Sequence, residues 1–236
     1  FDPAHGYLQG KSETALREAL TSRHPREEYI LTNKLSGGFF KSQQEIRPLF
    51  ESQLAACGVE YFDYYLMHAQ NAREFVKFKE CQAYEMAFQL KAEGKVRHVG
   101  ISFHDRAELL EQILTEYPQV EVVQIQFNYV DYDDLAVQSR RCYEVCVKHN
   151  KPVIVMEPLR GGSLATLSPD AAEILKTADP GSSNAAWALR YVASLPNVLC
   201  VLSGMTLPEH MEDNLKTFSP LKPLTDSERK TLDLAL

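Results

Sequence analysis

Several things are scarce or missing in these 236 residues, and most of these absences argue against a class of protein. No run approaches the ~18 apolar residues of a membrane span. No basic start followed by an apolar stretch marks a secretory leader. The five cysteines, at positions 57, 81, 142, 146 and 200, are odd in number and contain no Cys-x-x-Cys pair. A disulfide scaffold and a zinc ribbon are therefore both unsupported. The expectation is five reduced, mostly buried thiols in a cytoplasmic protein, with Cys142 and Cys146 packed on one helix face. Positive charge is also short: 25 Lys and Arg against 32 Asp and Glu leave a net charge of −7. A nucleic-acid binder needs a basic patch, and an acidic chain gains nothing at an anionic membrane surface. Nucleic acid and membrane are excluded as expected partners.

The common catalytic signatures are missing too. There is no Gly-x-Gly-x-x-Gly, no Gly-x-Ser-x-Gly and no His-Glu-x-x-His. Gly6 to Ser12 has the Gly-Lys-Ser end of a phosphate loop. That loop requires a glycine at position 5, which is His5. No metal site is expected.

What is present is an ordinary globular balance, 44% hydrophobic and 24% charged, enough for a large core. Short runs rich in β-branched and aromatic residues read as strands at 29–33, 62–67, 97–101, 121–126, 152–156 and 198–202. Amphipathic windows read as helices near 11–22, 43–57, 78–92, 105–116, 133–149, 182–194 and 207–217. Ser42 and Asp105 stand at helix starts, and Gly94 at a helix stop just before a strand. Strand starts recur every ~34 residues, the size of a βα unit. Linkers, low-complexity segments and sequence-level repeats are absent, so one domain over 1–236 is expected.

Alternating βα units make a parallel sheet, closed into a barrel or open and doubly wound. Polar residues decide. Lys34, His68, Ser102 and Glu157 follow four different strands. Chemistry spread around the strand C-termini is the logic of a (β/α)8 TIM barrel, whereas an open sheet gathers ligands at one switch point. Six strands are visible and eight are needed. Phe1-Asp2 reads as the last pair of another strand, so the chain is expected to lack at least one strand and helix upstream.

Asp2, Tyr7, Lys34 and His68 are placed to converge at one barrel mouth. A free phenol has a pKa near ~10, too high for easy proton donation at neutral pH. A neighbouring ammonium lowers it, a carboxylate holds the ammonium, and a histidine orients a carbonyl oxygen. Spacing alone leaves two readings open, an acid–base group and a structural ion pair.

The opening Phe-Asp-Pro-Ala-His-Gly-Tyr, then Asn33-Lys34, Met67-His68 and the stretch Gly94 to Ser102, resembles the aldo-keto reductase superfamily. Gln124 to Tyr129, Val155 to Gly162, Trp187 to Arg190 and Val201 to Met205 are similar to one branch of it, which often carries an iron–sulfur segment after the barrel. No such segment lies in these residues, so a cluster is implied only if one follows downstream. The resemblance implies an NAD(P)H-dependent enzyme that reduces a small aldehyde or ketone, with NADP as cofactor and NAD as the alternative. In it Tyr7 is the general acid, Lys34 and Asp2 tune it, and His68 orients the substrate.

The resemblance also implies cofactor contacts. Ser102 and Gln124 match carboxamide positions, and Met156 stands where many relatives place a stacking Tyr. Pro158, Leu159, Arg160, Gly161 and Gly162 fall beside the pyrophosphate; by itself the glycine pair reads equally as an ordinary turn. Ser203, Gly204 and Met205 open the adenosine site, with Asp213 and Asn214 at adenine. His210 stands where many relatives place an Arg for the 2′-phosphate, and Phe103 where the family commonly has Asn. Two alternatives remain: a non-catalytic nucleotide-binding redox sensor or regulatory subunit, and an electron-transfer partner acting through a downstream cluster. Substrate identity and oligomeric state are not legible.

Overall fold

The computed structural model describes residues 1–236 and contains six β-strands and ten α-helices. They fall into two compact units, Phe1–Gln124 and Ile125–Leu236. In the first, β1 (Thr32–Leu35), β2 (Phe62–Gln70) and β3 (Val96–Phe103) pair in parallel in chain order. The register sets Lys34 beside Leu66, and Met67 beside Ile101. The first residues of β4 (Val122–Gln126) close this unit, and the Glu121 N–H donates to Val99 O at 2.8 Å. Gly100 is required there: a Cβ on it would stand 2.6 Å from the Val122 carbonyl oxygen and 2.7 Å from Leu66 Cδ2.

Helices α1 (Ser12–Leu16), α2 (Gln43–Cys57), α3 (Ala72–Glu80), α4 (Ala83–Ala92) and α5 (Ala107–Glu116) belong to the first unit. α2 has the expected bounds. Beyond α1 the chain widens into a π turn over Arg17–Thr21. The single helix expected at 78–92 is two helices. Gln82, at φ 50°, breaks them apart, and Asn71 caps α3 by accepting from the N–H groups of Arg73 and Glu74. Gly94 stops α4 at φ 77°, a conformation glycine adopts without a Cβ clash. The apolar faces bury Phe50, Phe62 and Tyr65 as an aromatic group, with Tyr84 stacked on Tyr117 at 4.1 Å between centroids.

In the second unit the Phe127 N–H donates to Met156 O, and β5 (Val153–Met156) pairs in parallel with β6 (Val198–Val201). Helices α6 (Ser139–Lys148), α7 (Pro169–Ala178), α8 (Asn184–Ala193), α9 (Pro208–Phe218) and α10 (Asp226–Leu234) complete it. Trp187 is fully buried in a core with Tyr129, Leu164, Leu175, Leu224 and Leu232. Cys142 and Cys146 are buried on α6 as expected, and only Cys200 of the five thiols is exposed. α6 starts later than the expected 133, because the Asp134 carboxylate takes the N–H groups of Ala136 and Val137 into a turn. No helix is long and apolar enough to cross a membrane.

Candidate active site

Four side chains meet at the C-terminal ends of the first unit's strands. Lys34 lies within β1, one residue from its end. Its fully buried Nζ donates to Asp2 Oδ2 at 2.7 Å, Pro3 O at 3.1 Å and Asp2 O at 3.3 Å. Three acceptors satisfy the ammonium, which makes its burial tolerable. Burial lowers the Lys34 pKa, and the Asp2 carboxylate pulls it back up. Nζ also lies 4.9 Å from the centre of the Tyr7 ring.

Tyr7 follows a tight turn in which its N–H donates to Ala4 O. A Cβ on Gly6 would stand 3.3 Å from the Phe39 ring, which packs beneath the turn. The turn leaves the Tyr7 phenol 43% exposed, accessible to a substrate. Its pKa is raised by burial and then by the Asp2 charge. The lowering expected from Lys34 is not what the structure shows, because the ammonium is committed to Asp2 and two carbonyls and faces the ring. Tyr7 therefore rests as a protonated phenol.

His68 is aimed by a backbone irregularity. The β2–β3 register shifts between Met67 and Gln70, and Ala69 takes a left-handed φ of 52°. The buried Ser102 hydroxyl accepts the Ala69 N–H at 2.9 Å and holds this bend. His68 Nε2 then lies 3.3 Å from the Tyr7 hydroxyl, and Nδ1 lies 2.6 Å from Ser36 Oγ. Burial, with the charges of Lys34 and His104, lowers the His68 pKa to about 4, so its imidazole is neutral at physiological pH.

Two groups escaped the sequence reading. One is Ser36, two residues past Lys34. The other is the buried carboxylate of Glu13. It accepts from Asn33 Nδ2 at 2.8 Å and lies 2.8 Å from His5 Nδ1, between the Tyr7 turn and β1. Asn33 Oδ1 accepts the Lys34 N–H at 2.8 Å, Gln53 donates to Lys34 O at 3.0 Å, and Tyr65 donates to Gln53 at 2.7 Å. The one available signal was a Glu three residues after Gly10, a position without a chemical signature of its own.

Of the remaining residues in the first unit, Gln124 Nε2 donates to Asp2 Oδ2 at 3.2 Å. Phe103 is buried. Asp2 Oδ1 is buried and has no hydrogen-bond partner.

In the second unit, Met156 ends β5 half-buried, Pro158 is buried, and Leu159 packs on the core. Arg160 Nε pairs with Asp131 at 3.1 Å. Gly161 and Gly162 adopt φ 64° and 94°, and the Gly161 N–H donates to Glu157 Oε2 at 2.6 Å. That N–H thus already points at an anion. Ser203 follows β6 and accepts from Asn214 Nδ2 at 2.9 Å. A Cβ on Gly204 would meet open space, and Met205 is 46% exposed. His210 is exposed on α9, and Asp213 accepts from the Ser183 hydroxyl at 2.5 Å. No group of three or more His, Cys, Asp or Glu side chains is placed to hold a metal ion.

The parallel β/α order is that of barrel enzymes, whose chemistry sits at strand C-termini, and here a phenol, an ammonium, a carboxylate and an imidazole stand together at such ends. The model of the aldo/keto reductase family matches residues 1–236, and the chain belongs to that family. It is 23% identical to the NADH-specific methylglyoxal reductase of Escherichia coli K12, over 91% of this chain and 77% of that one. Its fold matches the thermostable aldo-keto reductase Tm1743, crystallised with epalrestat, at a TM-score of 0.80 and 23% identity, over 100% of this chain and 81% of that one. An aldo-keto reductase from Klebsiella pneumoniae in complex with NADPH gives 0.79 at 22% identity, over 99% and 78%. The architecture is therefore the TIM-barrel fold of these enzymes.

Proposed function

We propose that this protein reduces a small aldehyde or ketone to an alcohol with a reduced nicotinamide dinucleotide. The observation that carries the reading is the buried Lys34–Asp2 pair beneath the Tyr7 ring, with His68 at the Tyr7 hydroxyl. A purely structural ion pair has no use for an accessible phenol over its ammonium.

The residues present fit the cofactor. Asp2 Oδ1 is a buried acceptor of the kind that a ribose hydroxyl satisfies. Ser102 has spent only its oxygen on Ala69 and keeps a hydroxyl hydrogen for a carboxamide oxygen, with Gln124 as its companion. Met156, half-buried at the end of β5, would hold the nicotinamide. Pro158, Leu159, Arg160, Gly161 and Gly162 would hold the pyrophosphate, with the Gly161 N–H as a donor once released from Glu157. Ser203, Gly204, Met205, Asp213 and Asn214 would hold the adenosine, and His210 would meet any 2′-phosphate. NADPH, or NADH in its place, supplies the hydride when bound.

His68 and Tyr7 hold the carbonyl oxygen. As the carbonyl carbon gains its hydride, the Tyr7 O–H gives its proton to the alkoxide oxygen. The Lys34 ammonium, held in place by Asp2, stands 4.9 Å from the centre of the ring that carries the phenolate left behind. A raised Tyr7 pKa keeps the acid loaded before the reaction.

Tyr7→Phe removes the proton and leaves the ring. Turnover of methylglyoxal should fall at least ~100-fold, while NADPH binding, read by fluorescence titration, stays within about twofold. Retained turnover would refute the assignment of Tyr7. Titration of the unmodified protein with NADPH and NADH gives the cofactor preference. Binding of neither would refute the reductase reading.

A further inference from the structure

The imidazole of His68 bridges two hydroxyl groups. Nε2 faces the Tyr7 phenol at 3.3 Å, and Nδ1 faces Ser36 Oγ at 2.6 Å. A neutral imidazole has one N–H, and the environment of His68 keeps it neutral. Two arrangements satisfy both contacts. In one, Nδ1–H donates to Ser36, and Nε2 accepts the Tyr7 proton. In the other, the Ser36 O–H donates to Nδ1, and Nε2–H points at the space before Tyr7.

The distances separate them. N–H···O bonds centre near ~2.9–3.0 Å, while hydroxyl donors reach ~2.5–3.0 Å. A contact of 2.6 Å is short for a neutral N–H donor and ordinary for an O–H donor. The 3.3 Å contact is too long for a strong Tyr7 O–H donation to Nε2. The first arrangement would also spend the phenol proton on histidine. Ser36 is held for this role: it directly follows β1, and its carbonyl accepts the Phe39 N–H at the next turn.

We infer that Ser36 is a positioning residue whose hydroxyl donates to His68 Nδ1, fixes the ring proton on Nε2, and so makes His68 a hydrogen-bond donor to the substrate oxygen. This rests on the proposed carbonyl reduction for its consequence, though the tautomer itself does not. With Nε2–H in place, the substrate oxygen receives two donors, and the Tyr7 proton remains available for transfer. Without Ser36 the ring is free to populate the Nδ1–H form, which presents a bare Nε2 lone pair to the carbonyl oxygen.

The test is long-range ¹H–¹⁵N correlation of the protein labelled with ¹⁵N-histidine at pH 7.5, on the unmodified chain, Ser36→Ala and Ser36→Thr. The unmodified chain should show a protonated-type Nε2 and an unprotonated Nδ1 at His68. Ser36→Ala should show a mixture, and Ser36→Thr, which keeps the hydroxyl, should restore the single form. In steady state with methylglyoxal and NADPH, Ser36→Ala should lower kcat/KM about tenfold with the NADPH Kd unchanged, and Ser36→Thr should recover most of the loss. An Nδ1–H form in the unmodified chain overturns the inference. So does a Ser36→Ala spectrum identical to the unmodified one. If the unmodified chain shows no turnover but the spectra behave as stated, the reductase reading fails and the assignment of Ser36 to the tautomer stands.

Discussion

Glu13 offers the sharpest test of how the site is held. Its carboxylate is 1% exposed and joins the turn carrying His5 and Tyr7 to Asn33, the neighbour of Lys34. In Glu13→Ala the buried Nδ2 of Asn33 keeps only a weak contact to Cys57 Sγ at 3.8 Å. A lost bond to a charged acceptor costs about 1.5–3 kcal/mol in a buried setting. His5 is 29% exposed, so water recovers part of its loss, leaving about 1 kcal/mol. Releasing the carboxylate from its desolvation offsets some of this, and a net loss of about 2–3 kcal/mol remains. With a urea dependence of about 2–3 kcal/mol/M, the unfolding midpoint should drop by about 1 M at unchanged slope. Glu13→Gln keeps an acceptor for Asn33 and should lose only about 1 kcal/mol. A Glu13→Ala, Asn33→Ala cycle should show coupling of at least about 1 kcal/mol. Midpoints within 0.2 M of the unmodified protein for both single variants, about half a kcal/mol at that slope, would refute the claim that this carboxylate ties the turn to β1.

Three further outcomes follow from the geometry. The unfolded chain protonates His68 near pH 6.5, while the folded chain resists until about 4, so the unfolded state binds more protons between them. Stability should therefore fall as pH drops through that window, by at most about 3 kcal/mol from this residue, and His68→Asn should flatten the curve there; parallel curves would refute the burial argument. Gly100→Ala forces a Cβ against the Val122 carbonyl and Leu66, and should cost about 3 kcal/mol in chemical denaturation; a neutral result would refute the close strand approach. Glu157→Ala frees the Gly161 N–H and removes a negative charge beside the proposed pyrophosphate position, so NADPH should bind several-fold more tightly by fluorescence titration; unchanged affinity would argue against that placement.

Much of the fold was legible in local pattern. Strand cores such as Val153–Val155 were found because buried parallel strands read as continuous β-branched and aromatic runs, and β6 reads the same way although Leu199 and Cys200 are exposed. Boundaries moved because burial does not stop where apolar residues do. Lys34, Ser102 and His68 lie inside their strands, although each reads as the polar residue that ends one. Helices α7 and α10 were missed, although both carry start signals in plain view. Ser168 caps α7 ahead of Pro169, and Thr225 with Glu228 forms a capping box on α10.

The sequence by itself determined the alternating β/α class, the family, and the candidacy of Asp2, Tyr7, Lys34 and His68, because those rest on residue type and spacing along one strand or turn. Only the tertiary structure decided what each group is bonded to. That the Lys34 ammonium faces the Tyr7 ring and leaves its pKa raised, that Ser36 meets the far side of His68, that Glu13 links His5 to Asn33, and that Arg160 is paired with Asp131 are all contacts between residues brought together by folding. Such contacts depend on the register of strands and the direction of side chains at their ends. A one-residue change in either would re-aim every group, and no periodicity in the chain records it.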